Sequence, residues 1–381
     1  MAPQQTPTLL SPSELSYLHT SLSLNPPIRP DARSPRSFRP LVAETDLLPS
    51  ANGSARLCFA DGTEAIVGVK AEVEKTTGRD NVLRVNGEDE RMRGLEGKEH
   101  EEEMVEGDDN WIEVTVDMPG CRDDDAVVVF MGRMIHEGLV ADGDLRERLI
   151  IHGRWHWRIF VDILLLSPPQ TYPLPLLSLT THLALLSTRL PSPISSGNED
   201  PLFNDDWDAS IPLYPSTSSL RKGKGKSSSS SEKASSRRRR SRPPITLLVI
   251  CVGENIFFDP THAELAVADA VLAVTIASPP SPSSTSAHSS SSSSSDDNAD
   301  GDTEDDKGLD LLAVRTIDPP SRMSVSSSVV GEVGEGDAAV GAWKARKGGM
   351  RREVVGRMVR MCVERGGVGV EVLGGLEGFV G

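Results

Sequence analysis

The chain has 381 residues, of which 37% are hydrophobic and 4% aromatic, and its formal net charge at pH 7 is −16. This length allows a large buried core, but long polar segments dilute the apolar content, so we expect one globular domain of roughly 250 residues. The negative charge argues against a general polyanion binder, because phosphate contacts need clustered Lys and Arg.

The sequence indicates no disulfide framework, metal site or membrane span. His152 and His156 stand four residues apart, but on a predicted strand this spacing gives no shared metal-binding face. No apolar run approaches the ~18 residues of a membrane span and no signal-peptide pattern opens the chain, so we expect a soluble, intracellular protein. The cysteines are far apart and form no C-x-x-C pair: Cys58, Cys121, Cys251 and Cys362.

Residues 11–24 are predicted to form a helix within an N-terminal segment of residues 1–27. Ser11 is its cap, Pro12 takes the first helical position and Glu14 completes a capping box. Two alternatives remain open, because packing on its own domain and docking on a neighbouring subunit need the same apolar face. That face consists of Leu15, Leu18 and Leu22.

Residues 28–381 are predicted to form one domain, which begins with an arginine-rich segment, a strand and a β-hairpin. The pair Asp61-Gly62 separates two runs of alternating apolar residues, which is the pattern of a hairpin. The return strand carries its apolar side chains on one face and charged ones on the other: Ala65, Val67, Val69, Ala71 and Val73 against Lys70 and Glu72.

Residues 86–109 are mostly acidic and show no periodicity, which predicts a disordered, solvated loop rather than a metal site. Alternating apolar residues over 112–118 then predict a half-buried strand. Asp123 is predicted to cap the helix that follows. The apolar positions of this helix are Val127, Phe130, Met131, Met134 and Ile135.

Two further strands are predicted at about 148–152 and 155–166. The second is nearly all apolar, as is typical of a strand covered on both faces. We expect Asp162 within it to be buried and hydrogen-bonded. Trp155 and Trp157 share one face of this strand and are interpreted as core or interface anchors rather than base-stacking groups.

The second half of the chain alternates apolar elements with low-complexity segments. Disordered loops are predicted at 216–244, which is basic, and at 278–307, which is rich in serine and then in aspartate. Without these inserts the order of elements predicts an α+β fold of mixed sheets with packed helices. The remaining elements are a leucine-rich helix in 174–190, strands at 245–252 and 311–317, an apolar stretch at 264–277, a helix near 344–364 and a short apolar tail.

The basic insert has three interpretations, which the sequence leaves open. Ten Lys or Arg and one acidic residue lie within 216–244. The part at 221–242 is interpreted as a nuclear-localisation signal, as a loop that draws RNA towards an assembly, or as solvated charge without a specific role. Its serine runs also suit phosphorylation, which would lower the local positive charge.

Several segments, taken in order, resemble the RNase PH family, and within it the exosome ring subunits. They are R-x-D-x-R, R-P, N-G-S-A and a DGT hairpin within 28–73, VDILLL at 161–166, the acidic connector LFNDDWDASIPLYP at 202–215, and NIFFDPTHAE at 255–264. The order and spacing of these segments carry the resemblance. It implies an RNase PH-like fold, of the ribosomal protein S5 domain 2-like type.

The resemblance also implies site residues. Family members trim RNA from its 3′ end with phosphate as the nucleophile, which requires arginines, a glycine-rich loop and acidic residues. Arg133 matches the family's helix arginine, which implies an RNA- or phosphate-binding role, and its alternative is an ion pair with Glu137 one turn later. A later catalytic aspartate falls at Val271, with Asp269 close by.

The loop after the predicted central strand departs from the family's pattern. Where active members carry two glycines and a Ser/Thr-Arg pair, this chain has Pro168, Pro169, Gln170 and Thr171. Prolines remove two backbone donors, and threonine cannot replace a bidentate arginine clamp. We interpret these positions as vestigial and expect no catalytic residue, no metal and no cofactor.

Asp259 and Glu264 keep early acidic positions of the family, and we interpret them as vestigial too. An Asp-Pro pair commonly starts a turn, so Asp259 is expected to cap a turn rather than to perform chemistry.

The resemblance implies a non-catalytic structural subunit of the eukaryotic RNA exosome core. Its partners would be other RNase PH-like ring subunits, RNA-binding cap subunits and RNA in the central channel, without a membrane. Its roles would be RNA degradation and rRNA 3′-end maturation in nucleus, nucleolus and cytoplasm. One alternative is an active phosphate-dependent 3′→5′ exoribonuclease with a site shared with a neighbour, built from Arg133, Asp259, Glu264 and Asp269. Another is an acidic adaptor unrelated to RNA.

Overall fold

The computed structural model of the protein describes eight stretches of the chain: residues 10–76, 107–152, 154–169, 171–194, 200–214, 240–280, 308–317 and 349–379. Most of each predicted disordered loop (86–109, 216–244 and 278–307) lies outside the described residues. Within these stretches no helix combines the length and the apolar character that crossing a membrane requires.

Helices and strands both occur throughout the described chain. The helices are α1 (Pro12–Ser23), α2 (Ala126–Val140), α3 (Asp144–Arg148), α4 (Leu174–Ser187), α5 (His262–Ala266), α6 (Arg352–Val363) and α7 (Val368–Glu377). The strands are β1 (Leu41–Thr45), β2 (Gly53–Phe59), β3 (Glu64–Lys75), β4 (Ile112–Asp117), β5 (Ile150–His152), β6 (Trp155–Leu165), β7 (Arg189–Leu190), β8 (Ile211–Pro212), β9 (Ile245–Val252), β10 (Asn255–Phe258), β11 (Ala270–Ala277) and β12 (Asp310–Ile317).

Two sheets form the framework. The first has the order β1-β2-β3-β6-β4, with β5 paired to β6, and its pairs are antiparallel except for the parallel pair β4 and β6. The second is antiparallel in the order β10-β9-β11-β12. Mixed sheets with packed helices confirm the predicted α+β fold.

The predicted hairpin joins β2 to β3. Gly62 in its turn has φ of +83°, a left-handed conformation that glycine adopts without steric cost. The carboxylate of Asp61 accepts a hydrogen bond from the backbone N–H of Thr63 at 3.0 Å, which closes the turn. The predicted apolar face of the return strand is buried at Ala65, Val67 and Val69.

Helix α4 fills the space between the two sheets, where it contacts β2 and β3 of the first and β9 of the second. Every residue of α4 except Leu186 is buried, as expected for a helix that is apolar all round. Thr188, the residue directly after α4, lies so close to β2 that a Cβ on Gly53 would be 2.4 Å from its hydroxyl. The glycine of the N-G-S-A segment is therefore required by packing.

Helix α1 packs on its own chain, as the first of the two alternatives predicts. Leu18 and Leu22 are buried against strand β9 and Phe257, and the predicted capping box is present. The side-chain amide of Asn255 fastens the end of the helix, because it donates to the carbonyls of Leu22 and Leu24 at 2.8 and 2.7 Å.

Helix α2 differs from its prediction in two respects. Its cap is Asp125 rather than Asp123, because a turn closed by the Asp125 carboxylate precedes the helix. Val127 and Phe130 are exposed, whereas Met131 and the other predicted apolar positions are buried. The face of α2 that packs on β4 is therefore narrower than the apolar periodicity suggested.

The prediction of a strand covered on both faces is wrong for the second half of β6. Asp162 is exposed rather than buried, and its carboxylate accepts a hydrogen bond from the Thr115 hydroxyl of the neighbouring strand. Leu164 is exposed on the same face. Trp157, by contrast, is buried with its ring 5.0 Å from that of Phe203, which agrees with a core anchor.

The C-terminal stretch forms a helix pair instead of one helix and an apolar tail. Within the described residues the first of these helices, α6, begins at Arg352 and not near residue 344, and the predicted tail is helix α7. The glycines of α7 permit close packing, because a Cβ on Gly369 would lie 2.3 Å from Ile276 on β11. Low helix propensity hid this element in the sequence, and tertiary packing overrides it.

Candidate functional site

The two acidic positions predicted from the resemblance lie directly after β10. Asp259 has φ of +47° and is only 1% exposed. Two residues later Thr261 caps α5, and Glu264 completes a capping box by accepting from the Thr261 backbone N–H at 2.8 Å. Both carboxylates are thereby fixed within the protein rather than displayed in a cleft.

Glu264 forms a fully buried ion pair with Arg29. The Nε and Nη2 atoms of Arg29 donate to its two carboxylate oxygens at 2.7 and 2.8 Å. The remaining guanidinium donors reach the backbone carbonyls of Ser34, Phe258 and Asp259. Such a bidentate pair is stable in a dry interior only when the other donors are also satisfied, and here they are.

Asp259 accepts hydrogen bonds from two further arginines. Arg33 donates to it at 2.7 Å, and Arg39 donates from both its side chain, at 2.6 Å, and its backbone, at 2.8 Å. Burial raises the pKa of Asp259, but the hydrogen bonds and charges of Arg39 and Arg33 outweigh it and hold that pKa below its usual range. Asp259 therefore stays ionised as the centre of an arginine clamp, a larger role than the predicted turn cap.

The loop after β6, which includes Pro168 and Pro169, reaches the same place through Thr171. Its hydroxyl accepts a hydrogen bond from Arg39 at 3.3 Å. Pro168 and Pro169 are exposed in front of it, and Gln170 lies outside the described residues. The structure thus brings the loop and both acidic positions together around the arginine-rich segment.

We call this group the arginine–carboxylate cluster; it consists of Arg29, Asp31, Arg33, Arg39, Asp61, Asp259 and Glu264. Asp31 pairs with Arg33 at 2.6 Å, and Asp61 pairs with Arg39. Three guanidinium groups therefore meet four carboxylates, so the cluster offers an incoming phosphate no uncompensated positive charge.

Arg133 lies apart from the cluster, exposed on helix α2. Its alternative partner, Glu137, is engaged by Arg315 of β12 at 2.7 Å, so the pairing of Arg133 with Glu137 is wrong. Among the described residues no ion pair to Arg133 is present. Its guanidinium is exposed on the described surface.

The two candidates for the later acidic position take different places. Val271 is a buried residue of β11. The carboxylate of Asp269 accepts from the backbone N–H of Gly253 at 2.8 Å, in the turn between β9 and β10. Asp269 therefore supports that turn and belongs to a different set of contacts from Asp259.

The arginines of the cluster were not predicted as site residues. The R-x-D-x-R and R-P pattern gave a signal, because three arginines next to apolar strands need carboxylate partners when they are buried. The partners could not be found from sequence spacing, since Arg29 and Glu264 are 235 residues apart.

A comparison with known protein families agrees with this fold. Residues 37–191 match the model of the 3′ exoribonuclease family, domain 1, named RNase_PH. This stretch runs from the arginine-rich segment through the hairpin and the central strands to α4. The chain therefore carries an RNase PH-like fold, as the resemblance predicted.

Curated relatives specify the resemblance further. The chain is 29% identical over 267 residues to exosome complex component RRP42 of Saccharomyces cerevisiae, covering 70% of this chain and 81% of that protein. It is 29% identical over 282 residues to exosome complex component rrp42 of Schizosaccharomyces pombe, covering 70% and 78%. The predicted resemblance to exosome ring subunits is thus confirmed.

The chain is also similar to solved structures. One similar structure is the Archaeoglobus fulgidus exosome with RNA bound to the active site, at 17% identity and a TM-score of 0.44, covering 80% of this chain and 87% of that chain.

Proposed function

We propose that this chain is a non-catalytic structural subunit of a eukaryotic exosome ring. In this role its sheets and helices pack against other RNase PH-like subunits, next to RNA-binding cap subunits, and RNA passes through the channel of the assembly. It supports 3′→5′ RNA degradation and rRNA 3′-end maturation in nucleus, nucleolus and cytoplasm. The support for the subunit role is the similarity to two RRP42 components.

The observation that carries the non-catalytic part is the state of the phosphate loop. Pro168 and Pro169 have no backbone N–H to offer, and Thr171 is bound to Arg39. Asp259 and Asp61 already neutralise Arg39. A phosphate nucleophile needs backbone donors and free guanidinium groups. The two proline positions supply no such donor, and the guanidinium of Arg39 is already paired.

A second candidate function is a phosphorolytic site shared with a neighbouring subunit. The exposed Arg133 favours it, because a guanidinium without an ion pair among the described residues could reach RNA or phosphate held mainly by a partner. The chain would then contribute to phosphorolysis without holding a complete site.

Phosphorolysis by purified material tests both candidates. The chain alone, and the chain paired with a neighbouring RNase PH-like subunit, are given short single-stranded RNA and inorganic phosphate, and release of nucleoside diphosphate is measured. We expect none from the chain alone and no dependence on Arg133 in the pair. Arg352→Ala, which removes an exposed arginine from α6, is the matched control for Arg133→Ala.

Native mass spectrometry of the same preparations measures assembly separately. A loss of release in Arg133→Ala but not in Arg352→Ala, with the pair intact, would establish the shared site. A chain that forms no complex with any RNase PH-like subunit would contradict the ring assignment itself.

A further inference from the structure

The acidic connector carries three large apolar side chains that are exposed at the surface of the described structure. Trp207 is 50% exposed, and Leu202 and Ile211 are 66% and 52% exposed. Asp205 and Asp208 are exposed beside Trp207, and neither forms an ion pair with another residue of the described part of the chain. We call these five residues the connector surface.

The backbone beneath the connector surface is firmly held, so the exposure of these side chains is not the result of a loose loop. Arg189 donates to the side chain and the carbonyl of Ser210 at 2.7 and 2.9 Å. The backbone N–H of Leu213 donates to the carbonyl of Thr188 at 2.9 Å, and Phe203 packs on the buried Trp157. The structure therefore fixes an indole ring between aspartates at the surface.

The described residues on either side of segment 215–239, which contains most of the basic insert, lie close together immediately beyond this surface. Arg148 donates to the carbonyl of Leu213 at 2.8 Å and to the carbonyl of Arg240, and its guanidinium lies 4.3 Å from the ring of Tyr214. Residues 215–239 between these ends number 25 and include eight Lys or Arg and one Glu. Arg148 thus holds the residues that precede and follow 215–239 at one point.

The geometry points to the connector surface as an intramolecular docking site for residues 215–239. Tyr214 lies seven positions after Trp207, so the two are at most ~25 Å apart, whereas half of the insert can span ~40 Å. Attachment at both ends gives the insert an effective concentration on the order of millimolar at this surface. A separate partner of the same chemistry must compete with that concentration.

The connector surface and the basic insert are chemically complementary. Tryptophan is the best aromatic partner for Lys and Arg, whose aliphatic stems also cover apolar side chains such as Leu202 and Ile211. The aspartates add attraction that salt weakens, because exposed ion pairs are screened. When docked, the lysines of the insert are unavailable to an anionic polymer, so the connector surface and RNA compete for the same residues.

Zero-length cross-linking of the purified full chain tests the docking. A carbodiimide joins a lysine amine to a carboxylate as an amide, and the carbodiimide takes up the water that is released. We expect links from Lys222, Lys224, Lys226 and Lys233 to aspartates of the connector at low salt, and their loss in 1 M NaCl. Trp207→Ala, which leaves every carboxylate in place, should lower their yield about fivefold, and Trp207→Phe should restore part of it.

Three results of this experiment would overturn the docking. One is a link pattern in which the insert lysines join mainly the aspartates of 296–306, which would place the second insert in this role. Another is the absence of any link to the connector at low salt. The third is a yield that Trp207→Ala leaves unchanged.

Binding of a short single-stranded RNA to the same full-length chain gives an independent readout. The variant Asp205→Asn/Trp207→Ala/Asp208→Asn should bind RNA several-fold more tightly, because the insert is released. Asp117→Asn/Asp123→Asn removes two exposed carboxylates elsewhere and controls for the change in net charge. Equal RNA affinity of the two variants would contradict the competition.

Discussion

Asp259 connects the N-terminal segment to the second sheet through charge. It is buried, it accepts from Arg33 and Arg39, and these arginines lie more than 200 residues away in sequence. Without its charge, two largely buried guanidinium groups would lose their common partner. Asp259 therefore has a structural role, because it fixes the arginine-rich segment to the end of β10.

We predict that Asp259→Asn lowers the free energy of unfolding by about 3 kcal/mol, because breaking a buried ion pair leaves the partner charge uncompensated. Asparagine tolerates the left-handed backbone at this position, so the substitution tests the charge and not the conformation. Urea denaturation followed by circular dichroism measures the change. The exposed Asp117→Asn is the control and should stay within about 0.5 kcal/mol of the unsubstituted chain; an equal effect of both variants would contradict the clamp.

The sequence identified Asp259, Glu264 and Thr171 as site positions, but it did not identify the residues that they contact. The order of motifs gave their positions, whereas the partners Arg29 and Arg39 are brought to them only by the tertiary fold. Asp162 shows the opposite failure: an aspartate in an apolar run indicated burial, and the free face of the sheet leaves it exposed. Which face is covered depends on a distant element, and local sequence does not encode it.

Helix α4 is the element on which both sheets pack, and it contains a buried titratable group. His182 is fully buried, and its Nδ1 lies 2.9 Å from the Pro243 carbonyl, just before β9. A carbonyl only accepts, so Nδ1 carries the proton of the neutral ring. Burial, aided by the charge of Arg242, lowers the pKa of His182 from 6.5 to about 4.

We predict that stability falls as the pH drops from about 6.5 towards 4. In this window the unfolded chain protonates His182 and the folded chain does not, so protons favour unfolding; the contribution is complete above pH 6.5. The loss reaches about 3 kcal/mol near pH 4. Urea denaturation at a series of pH values measures it.

His182→Leu should flatten this part of the pH profile, while His262→Gln, at an exposed position, should leave it unchanged. Burial also lowers the pKa of His156, so the comparison between variants isolates the share of His182. A profile that His182→Leu leaves as steep as before would contradict the assignment.

Elements with a clear period could be predicted from sequence, and elements defined by packing could not. The alternation in β3 and β4 and the capping box of α1 determine structure locally, and all three are present. The sequence predicted only an apolar tail where helix α7 lies. This helix is rich in glycine, and it forms by packing on β11 rather than by intrinsic helix propensity. The same dependence on packing left Val127 of α2 exposed.

At the scale of the whole molecule, one buried charge joins the ends of the two long inserts. Arg240 is the last arginine of the R-R-R-R run in the basic insert, and its guanidinium donates to Asp142, to Asp310 at 2.8 Å and to the carbonyl of Ser278. Ser278 and Asp310 flank the second insert. The inserts therefore leave the fold side by side, at the same end of the second sheet, and the last arginine of the basic run belongs to the core structure.

We predict that Arg240→Ala lowers the free energy of unfolding by about 2 kcal/mol, since it leaves the largely buried Asp142 without its partner. The loss should be concentrated where β11 meets β12, because Asp310 pairs with Ala277 at that end of the sheet. Urea denaturation gives the total, and amide hydrogen exchange of Asp310–Ile317 shows where the structure opens. Arg315→Ala, which breaks an exposed pair on the same strand, is the matched control and should cost less than about 1 kcal/mol. If both variants lose the same stability, or if exchange in β12 does not change, Arg240 does not anchor the inserts, and the basic run would be free along its full length.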